Sequence, residues 1–103
     1  MTTHKPIAFA RIASAARAQA ESIVSRWLPN GRREGVEWIA LNPMRGDARP
    51  GSFKINLRTG SWADFATGDR GGDLVSLAAY LFRLKQAEAA LRVASMLGLN
   101  PYE

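Results

Sequence analysis

No cysteine occurs anywhere in this chain, and its one histidine, His4, lies in the N-terminal tail. Disulfides and thiolate metal sites are thereby excluded, and a single imidazole does not make a metal site. A chain of 103 residues fits one small domain, and 47 % hydrophobic residues supply one core. No run of 18 apolar residues exists, and no long apolar stretch follows Lys5. Neither a membrane span nor a secretory signal is expected, and a cytoplasmic location is.

The formal net charge is +5. Ten of the fourteen cations but only four of the nine acids fall within residues 1–60. Most of the cations are arginine, which suits planar contact with phosphates and bases. This asymmetry favours a polyanionic partner.

Residues 1–6 read as a flexible tail. Phe9, Ile12, Ala16, Ile23 and Trp27 then recur at helical spacing, which predicts an N-terminal helix over 7–28, stopped by Pro29, Asn30 and Gly31. Arg32 and Arg33 read as a short basic loop. Residues 36–41 read as a strand, and 44–51 as a loop carrying Arg45 and Arg49. Residues 52–57 and 61–65 read as two strands joined by Arg58-Thr59-Gly60, a common hairpin connection. That register pairs Ile55 with Ala63, Lys54 with Asp64 and Phe53 with Phe65. It sends Phe53, Ile55, Leu57, Ala63 and Phe65 to the core, and Lys54, Asn56, Trp62 and Asp64 to the other face. After a glycine-rich loop, Asp73 is a plausible N-cap for a helix over 74–82. A second helix follows over 86–97, with Gly98 as its stop.

The run from Asn42 to Leu99 resembles the zinc-ribbon domain of bacterial and phage DNA primases. That family reads Cys-Pro-x-His, a loop ending in Pro-Ser-Phe, a β-hairpin, Cys-x-x-Cys, then Gly-Gly-Asp opening a helix and a second helix ending in Leu-Gly. Here the pieces are Asn42-Pro43-Met44-Arg45, Pro50-Gly51-Ser52-Phe53, the hairpin, Asp64-Phe65-Ala66-Thr67, Gly71-Gly72-Asp73-Leu74 and Leu97-Gly98-Leu99. The four ligand positions are thus Asn42, Arg45, Asp64 and Thr67, so the family's metal is not carried over and no cofactor is expected. The resemblance implies a degenerate, metal-free zinc ribbon. Its fold is α+β: an N-terminal helix in residues 7–30, then a ribbon-like domain over 31–103 with about three antiparallel strands and two C-terminal helices.

Arg45 and Asp64 stand where zinc would have joined the chain, so an ion pair there can replace the metal as a clamp. Alternatively they are independent, with Asp64 paired to Lys54. Trp62 either stacks on an unpaired base or is covered by the N-terminal helix; Trp27 and Trp38 read as core. Gly68, Gly71 and Gly72 lack the lysine of a phosphate-binding loop. Asp64, Asp69 and Asp73 are better explained as turn and cap residues than as magnesium ligands. No nucleophile–base pair or carboxylate pair suggests catalysis.

The function expected is non-catalytic binding of nucleic acid, single-stranded template DNA foremost, in replication of a phage or mobile element. Arg45, Arg49, Lys54, Arg58 and Arg70 are the candidate phosphate contacts and Trp62 the candidate stacking platform. Replication proteins or a separate catalytic domain are possible further partners. The rival reading is a small phage or prophage factor that binds or inhibits a host replication or defence protein.

Overall fold

The computed structural model describes residues 5–45 and 51–103. The N-terminal apolar stripe forms two helices, α1 (Phe9–Arg17) and α2 (Ala20–Trp27), where the spacing predicts one. The N–H of Gln19 turns back to the carbonyl of Ala16 at 2.9 Å, which closes a tight last turn and ends α1. Ile12 and Ala16 on α1, then Ala20, Ile23 and Val24 on α2, still feed one continuous core, so the break leaves little trace in the periodicity.

Five strands follow in simple order, each antiparallel to the next: β1 (Arg32–Glu34), β2 (Glu37–Ala40), β3 (Phe53–Asn56), β4 (Trp62–Asp64) and β5 (Arg70–Gly71). The sheet is larger than the three strands expected because two segments read as loops are short edge strands. Arg32 and Arg33 hydrogen-bond opposite Ile39 and Trp38, and Arg70 opposite Ala63. Their arginines hid them, since charged edge strands carry no apolar alternation.

The β3–β4 register differs by one residue from the expected one. Phe53 pairs with Asp64, Lys54 with Ala63 and Ile55 with Trp62. The cause is Asn56. Its side-chain Oδ1 accepts the N–H groups of Arg58 and Thr59 at 2.8 and 3.0 Å, and its carbonyl accepts the N–H of Gly60 at 2.8 Å. This side-chain-capped turn widens the loop to four residues, with Gly60 at φ +83. A one-residue slip exchanges the two faces of a strand. Trp62 and Asp64 therefore point into the core with Phe53 and Ile55, while Ala63 and Phe65 point outward with Lys54.

Two helices complete the fold, α3 (Leu74–Phe82) and α4 (Gln86–Leu97). Asp73 caps α3 as the sequence suggested: its carboxylate accepts the Ser76 N–H at 2.8 Å, closing a capping box. Gly98 ends α4. Helices α1, α3 and α4 pack on one another, and Leu74, Leu77, Ala90 and Val93 join the core cluster beneath the sheet's inner face. Pro6, at the end of the expected tail, is held. Its carbonyl accepts the N–H of Glu103 at 2.9 Å, beside a bridge between Ile7 and Tyr102. Among the described residues, no helix is long and apolar enough to cross a membrane.

Candidate functional site

The four positions at which the resemblance would place zinc ligands do converge, through hydrogen bonds. Asn42 leaves β2, and Asp64 ends β4; both are fully buried. Asn42 Nδ2 donates to Asp64 Oδ2 at 2.7 Å and to the Tyr80 hydroxyl at 2.9 Å. Arg45 Nε donates to the same Asp64 oxygen at 2.7 Å, and its Nη2 reaches Ser52 Oγ at 2.8 Å. The Ala66 N–H fills Asp64 Oδ1 at 2.9 Å. Thr67 contributes backbone: its N–H and that of Gly68 turn back to the Asp64 carbonyl at 3.3 and 2.8 Å. Tyr80 extends the network by donating to Asp69 Oδ2 at 2.7 Å.

The Arg45–Asp64 ion pair is thus present, one end buried and the other partly exposed. Lys54 does not pair with Asp64. Among the described residues, no buried side-chain polar atom lacks a hydrogen-bond partner, which is the condition under which a buried carboxylate is tolerable. Burial pushes the Asp64 carboxyl upward, but the Asn42 amide, the Arg45 guanidinium and the Ala66 N–H outweigh it and hold it at about 2. Burial and the neighbouring Asp69 carboxylate push the Tyr80 hydroxyl up, against the Asn42 hydrogen bond.

A pH prediction follows from Asp64. Its folded value lies below the ordinary 3.8, so its stabilisation is complete above about pH 4 and is lost as pH falls toward 2. The loss is about 2 kcal/mol. Chemical denaturation between pH 6 and 2 should show this fall, and Asp64→Asn should flatten it. An unchanged profile in the variant would contradict the assignment.

The outer face of the sheet is the second feature. Trp62, expected there, is 5 % exposed. Its indole Nε1 donates to Ser76 Oγ at 3.0 Å, and its ring lies 4.7 Å from that of Tyr80. A Cβ at Gly71 would collide with the Trp62 indole and with Ser76 Oγ, so this glycine is where α3 and the sheet close over the tryptophan. Trp62 is a core residue and offers no ring face to a base. Its place on the surface is taken by Phe65, expected in the core and 71 % exposed. Lys54 Nζ sits 5.8 Å from the Phe65 ring centroid. Lys54, Ala63 and Arg70 stand side by side across three strands. Together with Phe65, Asn56 and Glu37 they line an open concavity of about 520 Å³.

The other expected contacts divide. Arg58 is exposed on the β3–β4 turn. Arg45 is committed to the buried clamp, and Arg49 lies outside the described residues. Trp38 is buried as expected, whereas Trp27 is half-buried at the end of α2. Phe65 was the residue sequence reasoning missed. The signal for it was the ligand position itself: a residue at 64 facing 42 must point inward, which turns 65 outward.

The fold is α+β, with the four ligand-equivalent positions joined by hydrogen bonds. Among solved structures, the chain is similar in fold to that of the Aquifex aeolicus primase, comprising zinc-binding and RNA polymerase domains, with a TM-score of 0.71 and 23 % identity. The match covers 86 % of this chain and 22 % of that one, so it spans about a fifth of the solved chain's length. At this identity the likeness is one of fold. No family model matches the sequence, and no curated protein does. Among the described residues, no three His, Asp or Glu side chains gather as a metal site would require.

Proposed function

We propose that this chain is a nucleic-acid-binding module that holds a single DNA strand on the outer face of its sheet. It would serve in the cytoplasm in replication of a phage or other mobile element, without chemistry of its own. The observation that carries the reading is Phe65, an exposed aromatic ring in one groove with Lys54 and Arg70. Interleaved aromatic and basic side chains on a sheet hold a strand by stacking and by phosphate contact, with little sequence preference. The primase-like fold and the basic first two thirds of the chain support it.

Titration of a labelled single-stranded oligonucleotide at two salt concentrations tests it. Binding should weaken steeply with salt. Phe65→Ala should cost about 1–3 kcal/mol of affinity with the salt slope unchanged. Arg70→Ala should reduce the slope by roughly one phosphate contact. Both side chains are exposed, so neither variant should lose its fold. A folded wild-type chain with no affinity for DNA at low salt would end this reading.

We also read the clamp as a zinc ribbon that has lost its metal. The combined variant Asn42→Cys, Arg45→His, Asp64→Cys and Thr67→Cys should then take up one zinc ion with thiolate ligands, read by cobalt substitution spectra. A variant that folds but binds no metal would count against that descent.

A further inference from the structure

Away from the outer sheet face, α2, α3 and α4 leave an apolar groove of about 370 Å³. Its walls are Trp27, Ala78, Phe82, Leu84, Val93 and Met96, with Arg92 at its margin. It shares no lining residue with the concavity around Phe65. Phe82 is 51 % exposed, although it closes a helix whose other large side chains are mostly inside.

Arg92 lines this groove, and three other cations neighbour its lining residues in sequence. Arg26 precedes Trp27, Arg83 and Lys85 flank Leu84, and Arg92 precedes Val93; all four are exposed. Among the described residues no acid forms an ion pair with any of them. The nearest acid in sequence, Glu88, is turned to the Lys85 backbone N–H at the start of α4. An apolar slot with Arg92 in its lining, and three more exposed cations next in sequence to other lining residues, is complementary to an acidic segment carrying a bulky apolar side chain.

Nucleic acid fits this place less well. Trp27 and Phe82 are engaged edge to face with each other, centroids 5.6 Å apart, and the remaining walls are aliphatic. The aliphatic walls offer bases neither a stacking face nor a hydrogen-bond partner, and the one aromatic pair is engaged with itself.

We propose that this groove docks an acidic protein segment anchored by one large apolar side chain, so that the module joins a protein partner while its sheet face remains open. The proposal uses none of the residues assigned to DNA and stands or falls separately. The test is NMR of the intact chain, following the Trp27 indole and Met96 methyl signals. The probe is a synthetic helical peptide rich in Glu with one central Phe. It should shift both signals in a saturable manner, and the same peptide with Lys for Glu should bind at least tenfold more weakly. Phe82→Ala and Arg92→Glu, both at exposed positions, should each weaken the acidic peptide at least tenfold while leaving oligonucleotide binding at the sheet unchanged. No shift at millimolar acidic peptide overturns the proposal. So does equal binding of the two peptides, or an oligonucleotide that perturbs the groove in place of the acidic peptide.

Discussion

Replacing Trp62 by alanine should destabilise the protein by about 3–5 kcal/mol, the range for emptying a large aromatic site in a packed core. Small domains have only about 5–15 kcal/mol in total, so much of the folding free energy is at stake. The ring fills the space between Phe53 and Tyr80, and its N–H is paired with Ser76 Oγ. Alanine removes the contacts and also takes away that hydrogen bond. The midpoint of thermal unfolding should fall by at least about 12 °C for a domain of this size. Phe65→Ala, three residues on and with its ring in solvent, should leave the midpoint almost where it was. A Trp62→Ala protein that melts like wild type would mean that the register described here is wrong.

Asp64→Ala should cost about 3 kcal/mol. Breaking a buried charge pair leaves the surviving partners without their acceptor, and such losses commonly reach about 3–5 kcal/mol. The lower end applies because the Arg45 side chain, 29 % exposed, can turn toward water. The Asn42 amide keeps its bond to Tyr80, but the Ala66 N–H loses its acceptor. Arg45→Ala alone should cost less, and a double-mutant cycle between 45 and 64 should return a clear coupling energy. The urea midpoint reports both. A change under about 0.5 kcal/mol for Asp64→Ala, the size of an ordinary surface effect, would show that the clamp holds nothing together.

These two residues also mark where the sequence was readable and where it was not. Helices α3 and α4 follow from their apolar spacing, with Asp73 and Gly98 as boundaries. The motif from Asn42 to Leu99 was enough to expect an α+β ribbon, and it raised a clamp between 45 and 64 as one of two readings. The hairpin register was not legible from alternation, because the stretch Trp62-Ala63-Asp64-Phe65 offers one aromatic to either face. A buried aspartate counted against the correct choice, since an isolated carboxylate in a core is costly. What settles the matter is a set of distant partners, Asn42, Arg45 and Tyr80, that local pattern does not reveal. The Asn56 turn was local, but its effect depends on a side-chain oxygen reaching two backbone N–H groups, which composition alone does not announce. Tyr80 gave only a faint signal, one of two hydroxyls, with Ser76, in an otherwise apolar helix.

The pairing of Pro6 with Glu103 and of Ile7 with Tyr102 has a topological consequence. Residues 6–7 and 102–103 thus lie side by side, reinforced by Arg11, which reaches the carbonyls of Asn100 and Tyr102 at 2.7 Å each. A short linker could therefore join them, and new ends could be cut at the exposed Gly35 turn with the order of packing preserved. Such a circular permutant should keep its core. By the same geometry the unit can be spliced into a surface loop of another protein as a cassette, entering and leaving at nearly the same point, with its sheet face and helical groove both intact.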